Sequence, residues 1–209
     1  MTSGSFGFYG ILTEPELGYE ALADIMVQCG VRYIQLRMKR RPKDEIRQTA
    51  FRLREIIDGR SLFIINDDAR LAKEVGADGV HIGQNDMPYE EARRIMGIGA
   101  VVGLSTHNLQ QTKSAMRLDP LPDYIGVGPV FPTPTKQIPD PVIGLTGMKH
   151  MIEAAAVPAV AIGGIDLANI QNVVDSGARN ACAVRCVNQS SDPAFVIQKF
   201  QRLLASVDK

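Results

Sequence analysis

Short apolar runs along this chain alternate with stretches in which apolar residues recur every three or four positions. The first run, Phe8 to Leu12, ends in polar residues. A helical pattern then passes through Tyr19, Leu22, Ile25 and Met26 and stops near Gly30. A strand at 31–36 and a helix at about 44–57 come next. The same alternation predicts strands at 61–65, 78–82, 100–104, 123–127, 158–162 and 180–184. It predicts helices at about 68–75, 88–96, 108–116, 144–155, 167–175 and 193–206. Most of the strands are apolar throughout, as in a parallel sheet covered on both faces. Eight strand–helix units with short connections fit a single-domain α/β chain, a (β/α)8 TIM barrel over residues 1–209. A doubly wound open sheet is the alternative.

Composition removes several function classes. The 23 Lys and Arg balance the 23 Asp and Glu, so no basic surface points to nucleic acid or an acidic membrane. Few aromatics and no Trp argue against a base-stacking nucleic-acid binder. No apolar run approaches membrane length, and the N-terminus lacks a signal-peptide pattern. Cys29, Cys182 and Cys186 are odd in number and lie in apolar surroundings, which reads as reduced thiols of a cytoplasmic protein. Cys182 and Cys186 have no His or Cys partners at zinc-ligand spacing. The sequence leaves the oligomeric state open, and a homo-oligomer is compatible with it.

Polar residues collect where the strands end. In a (β/α)8 barrel that end carries the chemistry. Residues 123–136 read DYIGVGPVFPTPTK: a glycine-interrupted strand, then a proline-stiffened loop presenting hydroxyls and one ammonium. Gly126 and Gly128 share a strand face, which suggests close approach to the backbone. Gln35, Arg37 and Lys39 share a parity and should face one side, with Ile34, Leu36 and Met38 facing the helices. Paired cations at a barrel mouth call for an anion, and Lys136 can converge on them from strand 6. Asp67 and Asp86 follow adjacent strands and would repel without a cation between them. Magnesium suits such a pair, taking one or two carboxylates and leaving other positions to water and phosphate. Asp68 is the expected helix cap, which leaves Asp67 for the metal. With Asn66 the set describes a magnesium–diphosphate clamp. Gly163-Gly164 before a helix supplies a candidate second anion site.

With those residues placed, the chain resembles the thiamine phosphate synthase (thiamine-phosphate pyrophosphorylase) family over almost its full length. The blocks that carry the resemblance are QLRMK at 35–39, IND at 65–67, ADGVHIGQND at 77–86 and GLSTH at 103–107. DYIGVGPVFPTPTK at 123–136 and PAVAIGGI at 158–165 complete it. The resemblance implies coupling of 4-amino-5-hydroxymethyl-2-methylpyrimidine diphosphate to thiazole phosphate in a Mg2+-dependent (β/α)8 barrel. It implies that Gln35, Arg37, Lys39, Asn66 and Lys136 contact the pyrimidine diphosphate, and that Asp67 and Asp86 hold Mg2+. Ser105 would sit by the pyrimidine, with Ser105, Arg37 and Lys136 as the catalytic set. Thr133, Thr135 and Gly163 or Gly164 would take the thiazole phosphate. The implied chemistry is ionisation of the diphosphate, then attack by the thiazole nitrogen.

One position departs from the family pattern. Where the family carries a small hydroxyl residue after strand 8, this chain has Arg185. If the small residues line the interior of both last strands, Ala159, Ala161 and Gly163 in one and Ala181 and Ala183 in the other, Arg185 continues that inward row and either binds the thiazole phosphate or fills its space. The rival functions are a thiazole tautomerase of the same family and a catalytically silent barrel that binds a thiamine precursor. His81 and His107 read as structural or hydrogen-bonding residues, and His150 as unrelated to the chemistry.

Overall fold

The apolar runs form eight strands: β1 (Gly7–Leu12), β2 (Tyr33–Leu36), β3 (Leu62–Asn66), β4 (Gly79–Ile82), β5 (Val101–Thr106), β6 (Tyr124–Val127), β7 (Ala159–Ala161) and β8 (Asn180–Ala181). Each pairs in parallel with the next, and β8 returns to β1, so the sheet is a closed barrel. The computed structural model describes residues 4–133 and 140–206. Thr135 and Lys136 lie outside the described residues. Helices α1 (Tyr19–Gln28), α2 (Lys43–Ile57), α3 (Ala69–Glu74), α4 (Tyr89–Met96), α5 (Leu109–Ala115), α6 (Gly144–Glu153) and α7 (Ile170–Asp175) cover the first seven strands. Two helices follow β8: α8 (Arg185–Asn188) and α9 (Pro193–Ala205). The fold is the (β/α)8 barrel expected from the alternation, not the open sheet. No helix among the described residues is long and apolar enough to cross a membrane.

Strand alternation divides the apolar residues into two packings. Ile34, Leu36, Phe63, Ile65, Val80 and Ile82 point outward and join the helices in the main core. Tyr9, Ile11, Tyr124, Val160 and Cys182 point inward and form a second, smaller cluster. The rings of Phe6, Tyr9, Tyr33 and Tyr124 pack with centroids 4.4–6.5 Å apart. Phe6 precedes β1, while Tyr33 and Tyr124 open their strands, so these rings plug the N-terminal end of the barrel. Open space is left at the other end, where the polar residues lie.

The assignment of the inward row on β7 and β8 is overturned. Ala159, Ala161, Ala181 and Ala183 belong to the outer core, whereas Val160, Ile162, Cys182 and Val184 face the interior. Small residues there serve the helices, which must approach the sheet closely. Arg185 therefore continues no inward strand row. Strand β8 ends at Ala181, and Arg185 begins α8 as an exposed side chain.

The glycine reading of residues 123–136 is corrected in part. A Cβ on Gly128 would lie 2.0 Å from the Ile162 carbonyl oxygen. The backbone that comes close is the protein's own, because Val130 N–H donates to that same carbonyl at 2.9 Å. Gly128→Ala should destabilise the barrel by about 1–3 kcal/mol, the usual cost of overpacking. A thermal melt should show the midpoint lower by about 2–4 °C for each kcal/mol; an unchanged midpoint would contradict the packing argument.

Candidate active site

A cavity of about 500 Å³ opens at the C-terminal ends of the strands. Gln35, Arg37 and Lys39 all line it, as their shared parity requires. Gln35 is buried, 2 % exposed, and its Nε2 donates to the Tyr9 hydroxyl at 2.9 Å. The Arg37 backbone N–H bonds Leu12 O at 2.9 Å, which extends the strand pairing far enough to hold its side chain in the mouth. Burial lowers the Arg37 guanidinium from its ordinary value, and the carboxylates of Asp67, Asp86 and Glu14 counteract this. The group keeps its charge and is poorly hydrated, the condition in which a bound anion gains most.

Asn66 and Asp67 are adjacent, yet both line the cavity. Alternation would send one outward. Asp67 takes the left-handed conformation, φ 65°, which re-aims the chain just past β3. Its N–H bonds His81 O at 2.8 Å, and its carboxylate meets Lys39 Nζ at 3.0 Å. Asp68 caps α3 as expected, accepting from Arg70 N at 3.0 Å and Leu71 N at 2.9 Å, and the Asp67 carboxylate is left to the cavity. Asp86 accepts from Gly83 N at 2.9 Å, a tight turn that swings its carboxyl over the cavity. Burial raises the Asp86 carboxyl above its usual value, and its hydrogen bond and repulsion with Asp67 raise it further. Two hard oxygen donors in contact are a fit for a divalent cation. Among the described residues no group of three or more His, Cys, Asp or Glu could hold one. A cation here would thus draw its remaining ligands from water or substrate.

Deeper in the cavity lies Ser105, whose Oγ is 2.9 Å from His81 Nε2 and whose carbonyl accepts from Gln84 Nε2 at 2.6 Å. His81 Nδ1 is 3.0 Å from the Tyr124 hydroxyl, itself 2.6 Å from that of Tyr9. The sequence reading left His81 without a definite part and passed over both tyrosines. A signal was present: β4 carries one polar side chain in an apolar strand, and Gly126 pairs in register with Ser105. His107 belongs to the scaffold. Its Nδ1 donates to Gly128 O at 2.7 Å, and its Nε2 lies 3.6 Å from Asp140 Oδ2.

The opposite wall holds Thr133, Gly163, Gly164, Asp166 and Arg185. Here the expected helix-end anion site changes. Helix α7 begins at Ile170, three residues later than predicted, and Gly164 is separated from it by a turn. In that turn Asp166 accepts from Ala168 N at 2.9 Å, while Asn169 Nδ2 donates to Gly164 O at 2.9 Å. The backbone offered to a phosphate here is that of Gly163-Gly164, not an open helix end. Burial and the Asp166 charge push the nearby Cys186 thiol up to about 11, so it stays protonated.

Comparison with known proteins places this cavity in a lineage. The family model described as Thiamine monophosphate synthase matches residues 11–187. The thiamine-phosphate synthase of Caldicellulosiruptor bescii is 38 % identical over 186 residues, 88 % of this chain and 84 % of that one. That of Halalkalibacterium halodurans is 35 % identical over 204 residues, 95 % of each chain. Among solved structures, the thiamine phosphate pyrophosphorylase of Pyrococcus furiosus superposes with a TM-score of 0.84 at 29 % identity, covering 97 % of each chain. Sequence, length and barrel agree over nearly every element that lines the cavity, and the chain belongs to the thiamine monophosphate synthase family.

Proposed function

We propose that this barrel is a thiamine-phosphate synthase, a transferase of thiamine biosynthesis working as one domain in the cytoplasm. It joins 4-amino-5-hydroxymethyl-2-methylpyrimidine diphosphate to thiazole phosphate and releases diphosphate. The observation that carries this reading is the convergence of Arg37, Lys39, Asn66, Asp67 and Asp86 on one cavity mouth. A site built this way recognises a metal-bound polyphosphate. A tautomerase has no use for it.

The chemistry asks for little proton transfer. The bond between the pyrimidine methylene carbon and the diphosphate oxygen breaks, and its electron pair leaves with the diphosphate. The thiazole nitrogen then gives its lone pair to the carbon, forming the C–N bond. Leaving-group charge is the main obstacle. Arg37 and Lys39 meet that charge from β2, Asn66 adds a donor, and Lys136 would add a third cation. Magnesium held by Asp67 and Asp86 would supply further charge neutralisation at the leaving diphosphate. Gln35 and Ser105 orient the pyrimidine ring, and the apolar walls of Ile11, Val160, Ile162 and Val184 keep water from the methylene carbon. On the far wall Thr133, Thr135, the Gly163-Gly164 backbone and Arg185 take the thiazole phosphate. Arg185 reaches it from the first turn of α8 as a planar two-pronged donor.

The test is to mix both substrates with magnesium and follow diphosphate and thiamine phosphate together. Both products should appear in equal amounts. Binding of the pyrimidine diphosphate without any coupling would instead identify a sensor or binding subunit.

A further inference from the structure

We propose that Tyr9, Tyr124 and His81 form a one-way hydrogen-bond chain that makes Ser105 a hydrogen-bond donor toward the ligand. The rate arm of its test rests on the function proposed above; the rest does not.

The direction follows from one end. The Gln35 Nε2 amide can only donate, so the Tyr9 hydroxyl accepts from it at 2.9 Å. Tyr9 has a single proton, which goes to the Tyr124 oxygen 2.6 Å away. The Tyr124 proton in turn goes to His81 Nδ1 at 3.0 Å. With Nδ1 accepting, the neutral imidazole carries its proton on Nε2 and donates it to Ser105 Oγ at 2.9 Å. The Ser105 proton is then left to face the cavity that this residue lines. An acceptor atom of the ligand, such as a ring nitrogen, would receive it.

The interior is shaped around this chain. A Cβ on Gly103 would lie 2.2 Å from the Tyr124 ring, so only glycine leaves that ring its place. Gly126 stands opposite Ser105 in the strand register, beside the His81 ring, whose Cε1 would lie in ordinary contact, 3.5 Å, from an added Cβ. Ser105 is held at its other end by Gln84, which bonds its carbonyl. Burial raises both phenols far above their ordinary value, so each keeps the proton it must pass along.

The reverse polarity would need Gln35 to turn its carbonyl oxygen to Tyr9. His81 would then carry its proton on Nδ1, and Ser105 would spend its own on Nε2. The two polarities thus differ in the tautomer of one ring among three histidines. The decisive measurement is 15N NMR of histidine-labelled, ligand-free protein near neutral pH, with His81 assigned by its absence in His81→Gln. A protonated Nε2 and a bare Nδ1 are expected. A ring protonated on Nδ1, or on both nitrogens, overturns the proposal whether or not the chain couples the two substrates.

The rate arm uses Tyr124→Phe, which removes the proton reaching Nδ1. Its kcat should fall about tenfold, while KM for the pyrimidine diphosphate, set by Arg37 and Lys39, should move less than about twofold. His81→Gln keeps an N–H near the Nε2 position and should retain more kcat than His81→Leu. Equal losses in these two variants, or a Tyr124→Phe protein with wild-type kcat and tautomer, would reduce the chain to core packing.

Discussion

Arg37→Ala should lower kcat/KM for the pyrimidine diphosphate by about a hundredfold while leaving the barrel folded. The guanidinium is half-buried in the cavity mouth, where it feels the charges of Asp67 and Asp86, while Asp67 makes its ion pair with Lys39. A charge-assisted hydrogen bond contributes about 1.5–3 kcal/mol. A forked donor can make two to one phosphate, so a loss of roughly 3 kcal/mol is a moderate expectation, and each 1.4 kcal/mol is tenfold. The strand itself should survive. Arg37 contributes its backbone N–H to Leu12, and alanine keeps that bond. Arg37→Lys should fall between wild type and Arg37→Ala, because it keeps the charge and loses the fork. Steady-state kinetics at subsaturating diphosphate measure both. A wild-type value in Arg37→Ala would remove this residue from the diphosphate site and leave Lys39 as the described cation there.

Much of this arrangement was readable from the residues alone, and the exceptions have physical causes. Parity on β2 is reliable because Ile34, Leu36 and Met38 are large and apolar, so only one face can meet the helices. On β7 and β8 both rows are apolar, so size is the one cue to the interior, and it misleads. The barrel interior is wide enough there for Val160 and Cys182, while the helix layer demands alanine. A two-residue β8 also ends before Arg185, and no periodicity survives in so short a strand. Asp67 lines the cavity, yet its means of getting there, a left-handed turn, leaves no trace in spacing. The chain from Gln35 to Ser105 was hidden for another reason. It joins residues of β1, β2, β4, β5 and β6, and only barrel closure brings these together.

Asp86→Asn should cut magnesium-dependent turnover by more than about a hundredfold and, at the same time, stabilise the metal-free protein at neutral pH. The rate estimate is set by outer partners of metal ligands, whose loss alone costs about 10–100-fold; a direct ligand should cost at least as much. The stability change follows from charge. The folded state holds the Asp86 carboxyl above its usual value through burial and the neighbouring Asp67. A carboxyl raised on folding favours the folded state at low pH, and that contribution is lost as pH rises through the raised value. Above that raised value, therefore, the ionised Asp86 carboxyl beside Asp67 opposes folding, and the neutral amide relieves it. Asparagine keeps an oxygen for the Gly83 N–H, so the turn that carries residue 86 is preserved. The same raised carboxyl makes protons compete with the metal, so magnesium affinity should weaken as pH falls toward the raised value. Thermal melts separate these effects, since a ligand raises the midpoint only by binding the folded state. Wild type should melt higher when magnesium and diphosphate are added. Asp86→Asn should start higher in chelator and gain little from the addition. Undiminished wild-type turnover in excess chelator would sink the metal site, and an Asp86→Asn protein that melts lower than wild type in chelator would refute the repulsion between the two carboxylates.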